Sequence, residues 1–302
     1  MRITLDAAGH ASRLPDLRHG TARYHVGDER SAAMGTGGME TERLVAVMGD
    51  EGIGRLARSR VLVLGLGGVG AACAEALARG GVGSLVLLDG DEVRPSNVNR
   101  QALAFESTVG MRKVLAMERM VTDVNPAIDV TTADVFLDME GIEESLAALP
   151  RPDFVIDALD TIAPKLAVAS WCQERGIPLV SCMGAANKYD PTMLRFADVS
   201  ETSVCPMCKV MRRECRRRGI GPLRVLFSTE PPLRLGSDEA SAPRLSGRLP
   251  EKSGALLGTT SYLPPIMGLM LAGDAICSIA DVGPGRCPAM PGSCRPASPS
   301  GA

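Results

Sequence analysis

From Arg60 onward the chain switches regularly between two hydrophobic periods. The segments "RVLVLGL", "SLVLLDG", "IDVTTAD", "DFVIDALD" and "IPLVSCMG" are short runs rich in Val, Leu and Ile. Gly, Asp or Pro bounds them, and they read as buried strands. Between them lie "GVGAACAEALARGG", "GMRKVLAMERMVTDVNP", "GIEESLAALP" and "TIAPKLAVASWCQERG". These read as helices. Glycines close the first, and Asn125-Pro126 stops the second. Strand–helix alternation at this spacing predicts βαβ units and a parallel sheet. Upstream, "METERLVAVMGDEGIGRLARS" predicts a short helix and then another, with Gly49 and Gly52 between them.

The pattern changes from about Asn187. "TMLRFADV" and "PLRVLFS" predict two more strands around a strongly basic helix, "CPMCKVMRRECRRRG". A long polar loop, "TEPPLRLGSDEASAPRLSGRLPEKSG", leads to an apolar helix at about Pro264 to Ile279. Residues 1–38 have no periodicity and are expected to be disordered, as is the low-complexity tail, 282–302. This divides the chain into an extension (1–38), a nucleotide-binding part (39–184), a C-terminal substrate-binding part (185–281) and a tail. No internal repeat is visible.

Composition narrows the picture. The net charge of -2 over 302 residues gives no global pull toward nucleic acid or membrane, so any such attraction must be local. The 9 cysteines are scattered and outline no secreted disulfide framework. The N-terminus lacks the apolar core of a secretory signal, so a reducing, cytoplasmic setting is expected. "YLPPIMGLMLAGDAICSIADV" is marginal in length for a membrane span and contains Asp274. It is expected to be a buried helix, with no integral span.

"GLGGVG" places Gly65, Gly67, Gly68 and Gly70 between the first strand and the first helix of the alternating region. That is the context in which GxGxxG binds phosphate: glycines admit the backbone, and the helix N-terminus offers free N–H groups. Asp89, at the next strand end, is placed to hold a ribose. The fold class is therefore α/β, a Rossmann-like, doubly wound, mainly parallel sheet with a C-terminal extension. A dinucleotide or ATP would satisfy this much. Asp91, Asn97, Arg100, Gln101 and Lys113 follow, and "DALD" puts Asp157 and Asp160 at the end of the fourth strand. Amide, guanidinium, ammonium and carboxylates around one phosphate site suit nucleotidyl transfer, with basic groups on the phosphates and a carboxylate on Mg²⁺.

In these motifs the chain resembles the ThiF/MoeB/ubiquitin-activating adenylating enzymes. The resemblance runs from about Arg43 to Met183 and rests on "GLGGVG", Asp89, "SNVNRQ", "TVGMRKV" and "DALD", in order. It implies that Asp89, Asn97, Arg100, Lys113 and Asp160 bind ATP and Mg²⁺, with Asp160 the metal ligand. It implies that a substrate carboxylate attacks the α-phosphate to give an acyl-adenylate and pyrophosphate. Arg43 matches an arginine supplied across a homodimer interface.

Beyond Gly184 the chain is similar to one branch, the tRNA threonylcarbamoyladenosine dehydratases. The segments that carry this are "DPTMLRFADVSET", "CPMCKVMRRECRRRGI", "LRVLFSTEPP" and "GALLGTTSYLPPIMGLMLAGDAI". The branch adenylates the threonyl carboxylate of the modified adenosine, and a nitrogen of the same group then displaces AMP and closes a ring. Lys209, Arg212, Arg213, Arg216 and Arg217 would then track tRNA phosphates, or else form a solvated helix face. Met183 to Lys188 would line the substrate pocket. Some members carry a cysteine where "EKSGALLGTT" stands; Ser253 here weighs against a sulfur-transfer protein as partner.

The competing substrate is the C-terminal glycine of a ubiquitin-like sulfur carrier. Bacterial enzymes of that type hold structural zinc in two CxxC pairs. Here Cys205 and Cys208 form one, and Cys277, Cys287 and Cys294 are spaced wrongly for a second, so no structural zinc is expected. An NAD-dependent oxidoreductase is disfavoured by Asn97, Arg100 and Lys113. It also lacks a placed histidine, since His10, His19 and His25 all precede the fold. A noncatalytic nucleotide scaffold is disfavoured by the completeness of the polar set.

Overall fold

The computed structural model describes residues 2–5, 11–13, 41–137, 142–233 and 258–282. The expected loop around 234–257, Ser253, the three histidines and the tail lie outside these residues.

Among the described residues, nine strands form one sheet, in the order β2-β1-β5-β4-β3-β6-β7-β9-β8. Its centre is β3 (Arg60–Leu64), flanked on one side by β4 (Ser84–Leu88) and β5 (Asp129–Ala133). On the other side lie β6 (Phe154–Asp157) and β7 (Leu179–Cys182). All these pairings are parallel. The chain turns left from β3 to β4 but crosses to β6 on the right, which opens a crevice at the carboxyl ends of the strands. The helices fall where the 3.6-residue period places them: α2 (Gly68–Arg79), α3 (Lys113–Val124), α4 (Ile142–Ala147) and α5 (Ile162–Arg175). Before them, α1 (Glu42–Arg58) is broken at Gly49 (φ 70°), the expected junction, whereas Gly52 sits buried within its second half.

The C-terminal part continues the same sheet. β9 (Arg224–Ser228) adds parallel to β7, and β8 (Leu194–Asp198) closes that edge antiparallel to β9. The basic helix α6 (Pro206–Arg218) lies between them in sequence. α7 (Leu263–Ala280) has a mean hydropathy of 1.6 and is long and apolar enough to cross a membrane. It instead buries Leu263, Met267, Leu271, Ala272 and Ala275 in the main apolar cluster with Ala71, Leu77 and Ala78 of α2. The reading of this segment as a buried helix holds.

The opposite edge corrects one expectation. Within 1–38, β1 (Arg2–Leu5) and β2 (Ala11–Arg13) are strands. β1 pairs parallel to β5, and β2 turns back antiparallel on β1. Both are short, and what orders them is the otherwise unpaired edge of β5, a partner far away in sequence.

Candidate nucleotide site

The loop after β3 is shaped by two glycines. Gly65 has φ 85°, a left-handed conformation that disfavours any β-carbon. A Cβ on Gly70 would lie 1.8 Å from the Gly65 carbonyl oxygen, so the start of α2 can approach the end of β3 only without one. Gly67 faces open space, with nothing within 4 Å of where its Cβ would stand. The N-terminus of α2, where the first N–H groups are free of intrahelical partners, thus begins beside open space, the setting in which helix starts bind anions.

Asp89 closes the floor of the crevice. Its carboxylate accepts from Leu66 N at 2.6 Å and from Asp91 N at 2.8 Å, tying the phosphate loop to the end of β4. Lys113, buried at the start of α3, reaches Asp91 Oδ2 at 2.8 Å and Asp89 Oδ1 at 3.6 Å. Arg100 stands over the loop: its Cγ and carbonyl oxygen would lie 3.3 Å from a Cβ on Gly68. Its guanidinium donates to Ser96 O and Asn99 Oδ1, and partial burial lowers its pKa. Asn97 is buried and caps its own 3-10 turn, accepting from Arg94 N at 3.0 Å. Gln101 is buried too, and its Oε1 has no hydrogen-bond partner among the described residues. An acceptor in that state suits an O–H or N–H group of a ligand.

The two aspartates of "DALD" part company. Asp160 is exposed two residues beyond Ala158, whose carbonyl would lie 3.0 Å from a Cβ on Gly65. Asp157 is fully buried. It pairs with Lys165 Nζ at 3.0 Å and accepts from Ser181 Oγ at 2.5 Å and Leu159 N at 3.1 Å. This corrects its assignment as a nucleotide ligand. Asp157 is the last residue of β6, and its carboxylate is held by α5 and β7.

Arg43 is exposed on α1, and no hydrogen bond or ion pair between described residues joins it to this cluster. Two residues at the rim were not anticipated. Arg112 pairs with both carboxylate oxygens of Asp134 and with the Gly90 carbonyl, binding the end of β5 to the loop after β4. Phe136 lies exposed over Gly90, its ring 2.7 Å from where a Cβ would be. Its position after β5, on the same sheet edge, was the available signal.

On α6, Lys209, Arg213, Arg216 and Arg217 are exposed. Glu214 sits among them, 2.7 Å from Arg217 and 3.2 Å from Arg213. Arg212 differs: it donates to Thr202 O at 2.6 Å and Thr202 Oγ1 at 2.7 Å, which corrects its place on the exposed face. Cys205 and Cys208 are buried at the start of α6. A hydrogen bond from Cys208 holds the Cys205 thiol well below the ordinary thiol range, and the Cys208 thiol is pushed up in turn. Among the described residues no three or more His, Cys, Asp or Glu side chains gather as a metal cluster.

The sequence profile of the ThiF family matches residues 40–291. The chain belongs to the ThiF family. Among its relatives, the tRNA threonylcarbamoyladenosine dehydratase of Bacillus subtilis is 40% identical over 241 residues, covering 77% of this chain and 91% of that protein. The molybdopterin-synthase adenylyltransferase of Escherichia coli is 42% identical over 139 residues, covering 46% of this chain and 53% of that protein. The crystal structure of the Escherichia coli tRNA threonylcarbamoyladenosine dehydratase in complex with ATP superposes with a TM-score of 0.68 and 26% identity. It covers 79% of this ThiF-family chain and 93% of that one.

Proposed function

We propose that this protein is a tRNA threonylcarbamoyladenosine dehydratase. It adenylates the threonyl carboxylate with ATP and cyclises the product with loss of AMP. The observation that carries this is the extent of similarity. The match to the dehydratase runs through most of both chains, whereas the match to the adenylyltransferase covers about half of each. The site fits the chemistry. The α2 N-terminus and open Gly67 receive phosphate, Asp89 faces the ribose, and the orphaned Gln101 Oε1 takes a nucleotide donor. Arg100 and Lys113 offset the charge that grows on the phosphates as pyrophosphate leaves. Asp160 would hold Mg²⁺, which would neutralise the phosphates further.

With ATP as co-substrate, the threonyl carboxylate oxygen bonds to the α-phosphorus and pyrophosphate departs. A nitrogen of the same threonylcarbamoyl group then attacks the activated carbonyl carbon, loses its proton and expels AMP. The acceptor is internal to the substrate, so the chemistry requires no protein nucleophile. Arg43 acts in this reading across a homodimer interface. The exposed arginines and Lys209 of α6 contact tRNA phosphates.

The test is mass spectrometry of the adenosine product after incubating the protein with ATP, Mg²⁺ and threonylcarbamoyladenosine-bearing tRNA. Loss of one water from the modified nucleoside supports the reading. No conversion, with ATP–pyrophosphate exchange on a Gly-Gly-ending carrier protein instead, transfers the function to the sulfur-carrier branch.

A further inference from the structure

Aromatic residues are 3% of this chain, yet two exposed tyrosines are joined by a hydrogen bond. Tyr189 is 54% exposed and Tyr262 is 44% exposed, and the Tyr262 hydroxyl donates to the Tyr189 carbonyl at 2.7 Å. Both are held on rigid supports. The backbone N–H groups of Tyr189 and Asp190 donate to the buried carboxylate of Glu230 at 2.9–3.1 Å. Just before them Asn187 takes a left-handed conformation and exchanges hydrogen bonds with Gly258, while its carbonyl accepts from Leu233 N. In the segment Met183 to Lys188, expected to line the substrate pocket, the two ends are buried and residues 184–187 half-buried, and Tyr189 is the exposed residue that follows.

The pair also lies beside the phosphate loop. Tyr262 caps α7 two residues before Pro264, whose Cβ would touch a Cβ on Gly68 at 3.0 Å. Two residues span at most about 7 Å. Taking the dehydratase reading as its basis, we propose that Tyr189 and Tyr262 form the stacking site for the adenine ring of the tRNA nucleotide whose threonylcarbamoyl arm is activated. That arm is short, so a carboxylate at the α-phosphate places its own base close to the loop. A base in a single-stranded RNA loop can be turned out and stacked on an aromatic face. Two tyrosines fixed by backbone hydrogen bonds offer such a face with little ordering cost.

The experiment is steady-state turnover of threonylcarbamoyladenosine-bearing tRNA by wild type, Tyr189→Leu, Tyr262→Leu and the two Phe variants. Each Leu variant should raise the KM for tRNA at least about fivefold, as loss of a base–aromatic stack requires. Tyr189→Phe, which keeps the ring and its backbone hydrogen bonds, should stay within about twofold of wild type, and Tyr262→Phe, which keeps the ring but loses the bond to the Tyr189 carbonyl, should raise the KM less than Tyr262→Leu. ATP affinity by calorimetry and the melting temperature check that the Leu variants remain folded. Active wild type with unchanged KM in both Leu variants overturns the stacking site. So does a shift in oligomeric state caused by either Leu variant, which assigns the tyrosines to an interface between copies. Inactive wild type defeats the dehydratase reading itself.

Discussion

Replacing Lys165 with methionine separates the roles of the two carboxylates at the end of β6. Lys165 and Asp157 both have 0% side-chain exposure. The ammonium reaches Asp157 Oδ2 at 3.0 Å, Ser181 Oγ at 3.2 Å and the Cys182 carbonyl at 2.7 Å. Methionine fills much of the space but leaves the Asp157 charge with only the Ser181 hydroxyl and the Leu159 amide. Removing one partner of a buried ion pair costs about 3–5 kcal/mol. At about 2–4 °C per kcal/mol for a domain of this size, the melting temperature should fall by roughly 6–20 °C. Changing both residues, Lys165→Met with Asp157→Leu, removes the stranded charge and should recover most of that loss. Asp160→Asn, at an exposed position, should stay within about 0.5 kcal/mol of wild type yet impair ATP turnover in the presence of Mg²⁺. Thermal melts of the four proteins, paired with pyrophosphate release, make the comparison. Lys165→Met melting within about 2 °C of wild type would refute the burial argument. An Asp160→Asn protein destabilised as far as Lys165→Met would refute the division of labour.

Further outcomes concern the phosphate loop, the basic helix and the buried thiols. Asp89→Ala should chiefly weaken ATP binding, measured by calorimetry, because Asp89 also anchors the phosphate loop through Leu66 N. Arg100→Ala should chiefly lower kcat, because the charge it faces grows in the transition state. Arg213→Ala with Arg217→Ala should flatten the slope of log tRNA affinity against log salt by about one unit per residue. Arg212→Ala should leave the slope unchanged and instead destabilise the chain by about 1 kcal/mol through Thr202, so equal slope changes in both would sink the distinction. The Cys205 pKa is depressed on folding, chiefly by the Cys208 hydrogen bond, so its contribution to stability is present at alkaline pH and lost as pH falls through the lowered folded value. Cys208→Ala removes the donor responsible. Urea denaturation from pH 5 to 9 should show a weaker gain in stability with pH than wild type, and an equal or steeper gain contradicts the assignment.

The phosphate loop, the strands β3 to β9 and the helices between them were legible in the sequence because each is written locally. A glycine turn, a run of branched residues or a 3.6-residue stripe carries its signal within a few neighbours. The positions of Asp89 after β4 and of Lys113 at the start of α3, on the carboxyl edge of the sheet, were legible for the same reason. The amino-acid string could not divide Asp157 from Asp160, three residues apart at one strand end. Their fates are set by Lys165 on the next helix and Ser181 on the next strand, which meet Asp157 only when α5 and β7 pack against β6. Arg212 was indistinguishable from its basic neighbours until α6 settled over Thr202. β1 and β2 become strands because β5 presents an edge to pair with. Composition also said nothing of Tyr189 and Tyr262, which lie far apart in sequence. They meet because α7 must bury its apolar length against α2, and that packing brings its first turn to the phosphate loop.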